Sequence, residues 1–166
     1  MFHTIVSIAP ICRQLHAKGK TVVLATGFFD LLHAEHRSFL QKAKAAGDIL
    51  IVAVESDERA RLAKGEGRPV ETQAIRCAHV AQCHSGTVPL PIADYVIALP
   101  PDFNNFASYD SLISAIRPQL YAISSHTTHL KSKTFLVEKY GGKLQIVHDH
   151  NPAISTTKIL ETKNKI

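Results

Sequence analysis

The chain has 166 residues, 45% of them hydrophobic and 20% charged, with a formal net charge of +5 and a pI near 9.2. This is the composition of a soluble globular protein of one domain (1–166), read as a core over 21–160 preceded by a helical extension over 1–20. No apolar run is long enough to cross a bilayer, and no long basic run marks a nucleic-acid arm, so the positive charge points to smaller anions such as nucleotides and phosphorylated metabolites. Cys12, Cys77 and Cys83 form no CxxC pair, and the apolar patch Ile5–Ile11 lacks the basic start and long core of a signal peptide. Reduced thiols and a cytoplasmic location are therefore expected.

In chain order, a helix is expected around Ala9–Ala17, then a β-rich apolar run at Thr21–Thr26 that ends at Gly27. Ala34–Ala46 reads as a helix stopped by Gly47, and Asp48–Val54 as a strand apolar on both faces. A short helix at Asp57–Leu62 leads into the Gly-rich loop Lys64–Pro69, and Thr72–Cys83 is helical. Tyr95–Leu99 is a third strand, Pro100–Asn105 a loop, and Tyr109–Ile116 a helix that stops before Pro118. A strand at Leu120–Ile123, a helix at Lys131–Tyr140, a strand at Leu144–Val147 and a helix at Ser155–Lys163 complete the pattern. Lys158, Lys163 and Lys165 read as a solvated helix end. Strand alternating with helix five times predicts an α/β, Rossmann-like doubly wound sheet of about five parallel strands. Ligands of such sheets bind at the carboxyl ends of the strands.

The first strand ends where Thr26-Gly27-Phe28-Phe29-Asp30-Leu31-Leu32-His33-Ala34-Glu35-His36 begins. His33 and His36 share one face of a helix start, where backbone amides attract anions and imidazoles donate to phosphate oxygens. A packed or surface pair of histidines fits the same spacing. Ser155-Thr156-Thr157 fits a plain helix cap, Lys64–Pro69 an exposed turn, and Arg76 a surface position on a helix.

Taken together, these segments resemble the cytidylyltransferase-like nucleotidyltransferases. Gly27–His36 is similar to their G-x-F-D-x-x-H-x-G-H signature, and Val54-Glu55-Ser56-Asp57 to their V-x-S-D turn. Lys64–Val70 followed by Arg76, the Gly141-Gly142 pair, and Ile154–Ile159 resemble, in order, K-G-x-x-R-P-V…R, G-G and I-S-T-T-x-I of the heptose-phosphate adenylyltransferase and glycerol-3-phosphate cytidylyltransferase branch. The resemblance runs from Val22 to Leu160. It implies transfer of AMP or CMP from ATP or CTP to a small phosphorylated acceptor, with loss of pyrophosphate, and a Mg²⁺ ion held through the triphosphate and water. It also implies a homodimer; the charge and hydropathy patterns lead us to expect no nucleic-acid or membrane partner. In this resemblance His33 and His36 bind the triphosphate and stabilise charge at the transferred phosphorus. Gly27, Phe28 and Phe29 admit the nucleotide, Arg76 approaches its phosphates, and Ser155, Thr156 and Thr157 hold phosphate oxygens. Lys44 faces the phosphates or solvent, Arg68 lies on the acceptor side, and Asp30 organises its turn.

Two departures stand out. Glu35 occupies the glycine position between the histidines, and a carboxylate ~4 Å from a phosphate costs about 1 kcal/mol in water and several times more in a dry site. It points away, pairs with a nearby Arg or Lys, raises the pKa of His33 or His36, or blocks the triphosphate. In that last case, and with the usual segment after Ile123 missing, the alternative is a catalytically impaired descendant that binds a nucleotide or another partner. The second departure is Ile123-Ser124-Ser125-His126-Thr127-Thr128-His129, where relatives carry K-G-x-D or M-G-D-D. Ser125, His126 and His129 are then polar contacts for a different acceptor. No metal site is assigned. The alternative is a metal held by His126 and His129 with His148 and His150.

Overall fold

The computed structural model describes residues 2–86, 90–151 and 153–163. Lys165, the side chain of Lys163 and part of the irregular stretch between Cys83 and Asp94 lie outside the described residues. The order is α1 (Ile5–Ala17), β1 (Val22–Gly27), α2 (Ala34–Ala45), β2 (Ile49–Val54), α3 (Asp57–Lys64), α4 (Gln73–Ala81) and β3 (Tyr95–Ala98). It continues with α5 (Phe106–Ile116), β4 (Leu120–Ser124), α6 (Leu130–Lys139), β5 (Lys143–His148) and α7 (Thr156–Lys163). All five strands are parallel, in the order β3-β2-β1-β4-β5. The chain starts in the middle of the sheet, builds outward to β3, then returns across β1 to β4. The order therefore reverses between β1 and β4, and a crevice opens at the carboxyl ends of those two strands.

The strands are apolar on both faces because helices cover both. Val23, Ala25, Leu50, Val52 and Val54 point to a layer with Phe39, Leu40 and Ala43 of α2 and Cys77 and Val80 of α4. Val22, Leu24, Ile51 and Ala53, one residue out of phase, meet Ile8 and Cys12 of α1, Leu112, Ile113 and Ile116 of α5, and Leu136 and Val137 of α6. The period of two fixes both layers at once, since a one-residue slip would exchange their side chains. The three cysteines are free and buried. Burial pushes the thiols of Cys12 and Cys77 up to about 11, which makes them packing groups rather than nucleophiles.

Two helices start earlier than their apolar periodicity suggests, because caps rather than hydrophobic residues define their ends. α1 begins at Ile5, where Thr4 and Ser7 form a reciprocal capping box and Pro10 is accommodated inside the helix. α5 begins at Phe106, where the Asn105 side chain accepts from Ser108 N. Gly142 lets β5 follow α6 closely: a Cβ there would lie 2.0 Å from the Pro118 carbonyl oxygen. Among the described residues, no helix is long and apolar enough to cross a membrane.

Candidate functional site

A cavity of about 650 Å³ occupies the crevice, within the size range of small-molecule sites. The loop after β1 forms its floor. Phe29 and Leu31 take left-handed backbone conformations with φ of 53° and 47°, which is costly for residues other than glycine unless neighbours enforce it. Asp30 does so. Its buried carboxylate accepts from Arg68 Nε at 3.0 Å, Val70 N at 3.1 Å and Glu71 N at 3.1 Å, pinning the Gly-rich loop to the β1 loop. Leu31 N donates to Glu71 from the other side. Asp30 thus organises the turn. Gly27 leaves room for Phe29, whose ring would sit 3.0 Å from a Cβ at that position.

His33 precedes α2 as its N-cap residue, in extended backbone conformation. The helical step brings His36 beneath it, and the two rings stack with centroids 3.8 Å apart. Phe29 meets His36 edge-on. Nδ1 of each histidine is buried and has no hydrogen-bond partner within the protein. Burial and the neighbouring imidazole push His36 down to about 3. Burial also lowers His33, outweighing the upward pull of Glu35. Both rings are neutral at pH 7, so Glu35 does not produce a net rise in either pKa. Two uncharged imidazoles stacked at a helix N-terminus are free to donate to an anion.

Glu35 lines the same cavity, but its carboxylate is engaged. His148 Nε2 donates to Glu35 Oε2 at 2.9 Å and Asn151 N at 3.1 Å. Lys42 Nζ lies 3.2 Å from His148 Nδ1, so lysine donates to imidazole and imidazole to carboxylate. The His148 hydrogen bond holds the Glu35 carboxyl below its ordinary value. Of the alternatives open for Glu35, pairing prevails, with a histidine rather than Arg or Lys. The proposed metal group of four histidines does not assemble, because His148 faces Glu35 and His126 packs on His150, centroids 4.0 Å apart. Among the described residues, no three His, Cys, Asp or Glu side chains converge on a metal position. The donor set therefore fits a magnesium ion that arrives on triphosphate oxygens and water, not a cage of side chains.

The remaining expected residues divide. Gly27, Phe28, Phe29, Arg68, His126, His129, Ser155, Thr156 and Thr157 all line the cavity. Ser155 caps α7 by accepting from Lys158 N, and Thr156 donates its hydroxyl proton to the Asp30 carbonyl at 2.8 Å. The Thr156 proton is spent on tying α7 to the β1 loop and is not available to a phosphate. Three others are corrected. Arg76 is fully buried and does not reach the cavity: it donates to the carbonyls of Phe28, Glu55 and Glu71 and to Asp57. A guanidinium's planar fork suits that clamp, and its charge is used up there. Lys44 lies in the last turn of α2, at the opposite end from the histidines, and its Nζ is 2.7 Å from Asp94 Oδ2. Ser125 lies outside the cavity lining and accepts from His150 N. Its neighbour Ser124 is in the lining.

Several lining residues were not singled out as site residues from the sequence, although Lys64 opens the K-G-x-x-R-P-V segment. Glu55, Arg59, Lys64, Tyr109 and Lys133 face the cavity. Glu55 was visible only as the variable position of V-x-S-D, and Lys133 only as one lysine among several on α6. A charged residue closing an otherwise apolar strand was the one available cue.

A sequence profile of the cytidylyltransferase-like family matches residues 24–162. The chain is 36% identical over 155 residues to the bifunctional protein HldE of Pelobacter propionicus, covering 93% of this chain and 29% of that protein. It is 42% identical over 114 residues to HldE of Wolinella succinogenes, covering 69% and 22%. The chain thus spans less than a third of the length of these relatives. Among solved structures it resembles the lipopolysaccharide core biosynthesis protein from Thermoplasma volcanium, with a TM-score of 0.59 and 24% identity, covering 78% of this chain and 96% of that one. It also resembles pantoate-beta-alanine ligase from Francisella tularensis, with a TM-score of 0.61 and 13% identity, covering 98% and 75%. At those identities the two structures speak to the fold alone.

Proposed function

The chain belongs to the cytidylyltransferase-like family, and from that premise we propose that it transfers AMP or CMP from ATP or CTP to a sugar or polyol phosphate. The single observation that carries this reading is the stacked, neutral His33/His36 pair, its Nδ1 atoms unpartnered, at the N-terminus of α2 within the cavity. An acceptor phosphate oxygen attacks the α-phosphorus. A new P–O bond forms, the bond to the β-phosphate oxygen breaks, and pyrophosphate leaves with the electron pair. The protein needs no covalent intermediate: the histidines and the α2 amides donate to phosphate oxygens as negative charge builds. Magnesium, when bound through the phosphates, neutralises charge on the leaving group. Arg68 and Asp30 keep the Gly-rich loop against the nucleotide, and the α7 start closes the other side.

Mixing the protein with Mg²⁺, ATP or CTP, and a panel of sugar and polyol phosphates tests the reading through pyrophosphate release. His36→Ala should lower turnover at least a hundredfold. Absence of both pyrophosphate release and triphosphate binding in the unmodified protein would sink the reading. The second reading, a nucleotide-binding descendant without turnover, rests on the Glu35 carboxylate in the cavity wall. Triphosphate binding without release for any acceptor would favour it.

A further inference from the structure

One group of cavity residues is not used by the chemistry above. Glu55 closes β2 with its side chain only 5% exposed. Tyr109 of α5 donates to Glu55 Oε1 at 2.7 Å, whereas Oε2 is buried with no partner. Arg59 of α3 and Lys133 of α6 both face the same cavity. Arg59 Nε is buried and also lacks a partner. The Lys133 ammonium lies 5.6 Å above the Tyr121 ring, and burial lowers its pKa. Among the described residues, neither cation is within ion-pair distance of a carboxylate. Tyr121 is itself fixed by Thr26, whose hydroxyl lies 2.8 Å from the phenol oxygen.

Buried polar atoms without partners are costly. Here an acceptor atom and two cations are left open side by side. The two cations call for an anion. The free carboxylate oxygen calls for a donor. A cationic donor would be repelled by Arg59 and Lys133, so the donor is a neutral hydroxyl carried on an anionic molecule. The histidine pair stands on α2, against one face of the sheet. Tyr109 and Lys133 stand on α5 and α6, which pack on the other. The two sets therefore approach the crevice from opposite faces of the sheet and line one cavity of about 650 Å³.

We propose that Glu55, Arg59, Tyr109 and Lys133 form the acceptor subsite and select a phosphorylated polyol or sugar, with its phosphate on Arg59 and Lys133 and a hydroxyl donating to Glu55. This rests on the nucleotidyl-transfer reading. The test is calorimetric titration of glycerol 3-phosphate, ribose 5-phosphate, mannose 1-phosphate and a heptose 1-phosphate, with and without the α,β-methylene analogues of ATP and CTP. At least one phosphate ester should bind, and Arg59→Gln and Lys133→Gln should each weaken it tenfold or more. Affinity for the triphosphate analogue should stay within twofold in both variants. The unmodified protein should bind glycerol 3-phosphate more tightly than propyl phosphate, and Glu55→Leu, which leaves no acceptor, should erase that preference. No binding by any of the four esters, ester affinities within twofold in the lysine and arginine variants, or a loss confined to the triphosphate analogue would each overturn the subsite. Ester binding that depends on Arg59 and Lys133, with no pyrophosphate release, would overturn nucleotidyl transfer and leave the subsite standing.

Discussion

At the scale of single residues, charge and burial decide what the cavity can do. The unfolded chain protonates His36 near pH 6.5, whereas the folded chain holds it neutral down to about 3. Between those values only the unfolded state takes up the proton. Stability is therefore complete above pH 6.5 and falls as the pH drops toward 3. Urea unfolding at pH 7.5 and 4.5 should show His36→Gln removing roughly 2.7 kcal/mol of that acid loss. Equal slopes for the two proteins would contradict the burial argument. Glu35 is the second case. Glu35→Gln keeps an oxygen for His148 and removes the charge, so triphosphate affinity should rise about fivefold, the equivalent of ~1 kcal/mol. An unchanged dissociation constant would mean that the His148 tie already directs the charge away from the phosphates.

At the scale of elements, loops are held by buried polar side chains whose roles are not written in local periodicity. Arg76 joins the β1 loop, the end of β2 and the start of α4 through four groups. Arg76→Met should cost about 3 kcal/mol or more in a denaturant titration, because three carbonyls and Asp57 lose their donor. A cost below 1 kcal/mol would show that water replaces it. The strands and most helices were readable from hydrophobic runs, with Gly47 and Pro118 as stop signals. The starts of α1 and α5 were not, since Thr4 and Asn105 act through local side-chain caps that leave no mark on hydrophobic periodicity. The same limit explains Arg76 and Lys44. A sequence places a cation near a loop or on a helix, but only the assembled structure shows it turned to carbonyls or to Asp94. His33, His36 and the α7 start were legible because short motifs specify backbone geometry. The Glu55 cluster was not, because its four members come from four separate elements.

At the scale of the whole molecule, the sheet reversal creates the crevice and the net charge of +5 supplies a field around it. Triphosphate association should therefore slow severalfold between 50 and 500 mM salt, measured by stopped flow, with dissociation changing less. A salt-independent association rate would show that the charge is spread too evenly to steer. The Lys42–His148–Glu35 chain links α2 to β5 across this crevice, and it has a consequence for descent. Restoring glycine at position 35 would leave His148 beside a lysine with its carboxylate gone. Losing His148 would strand a carboxylate among phosphates. The three positions form a unit of inheritance: sister sequences should keep all three or have exchanged them together, with intermediates rare.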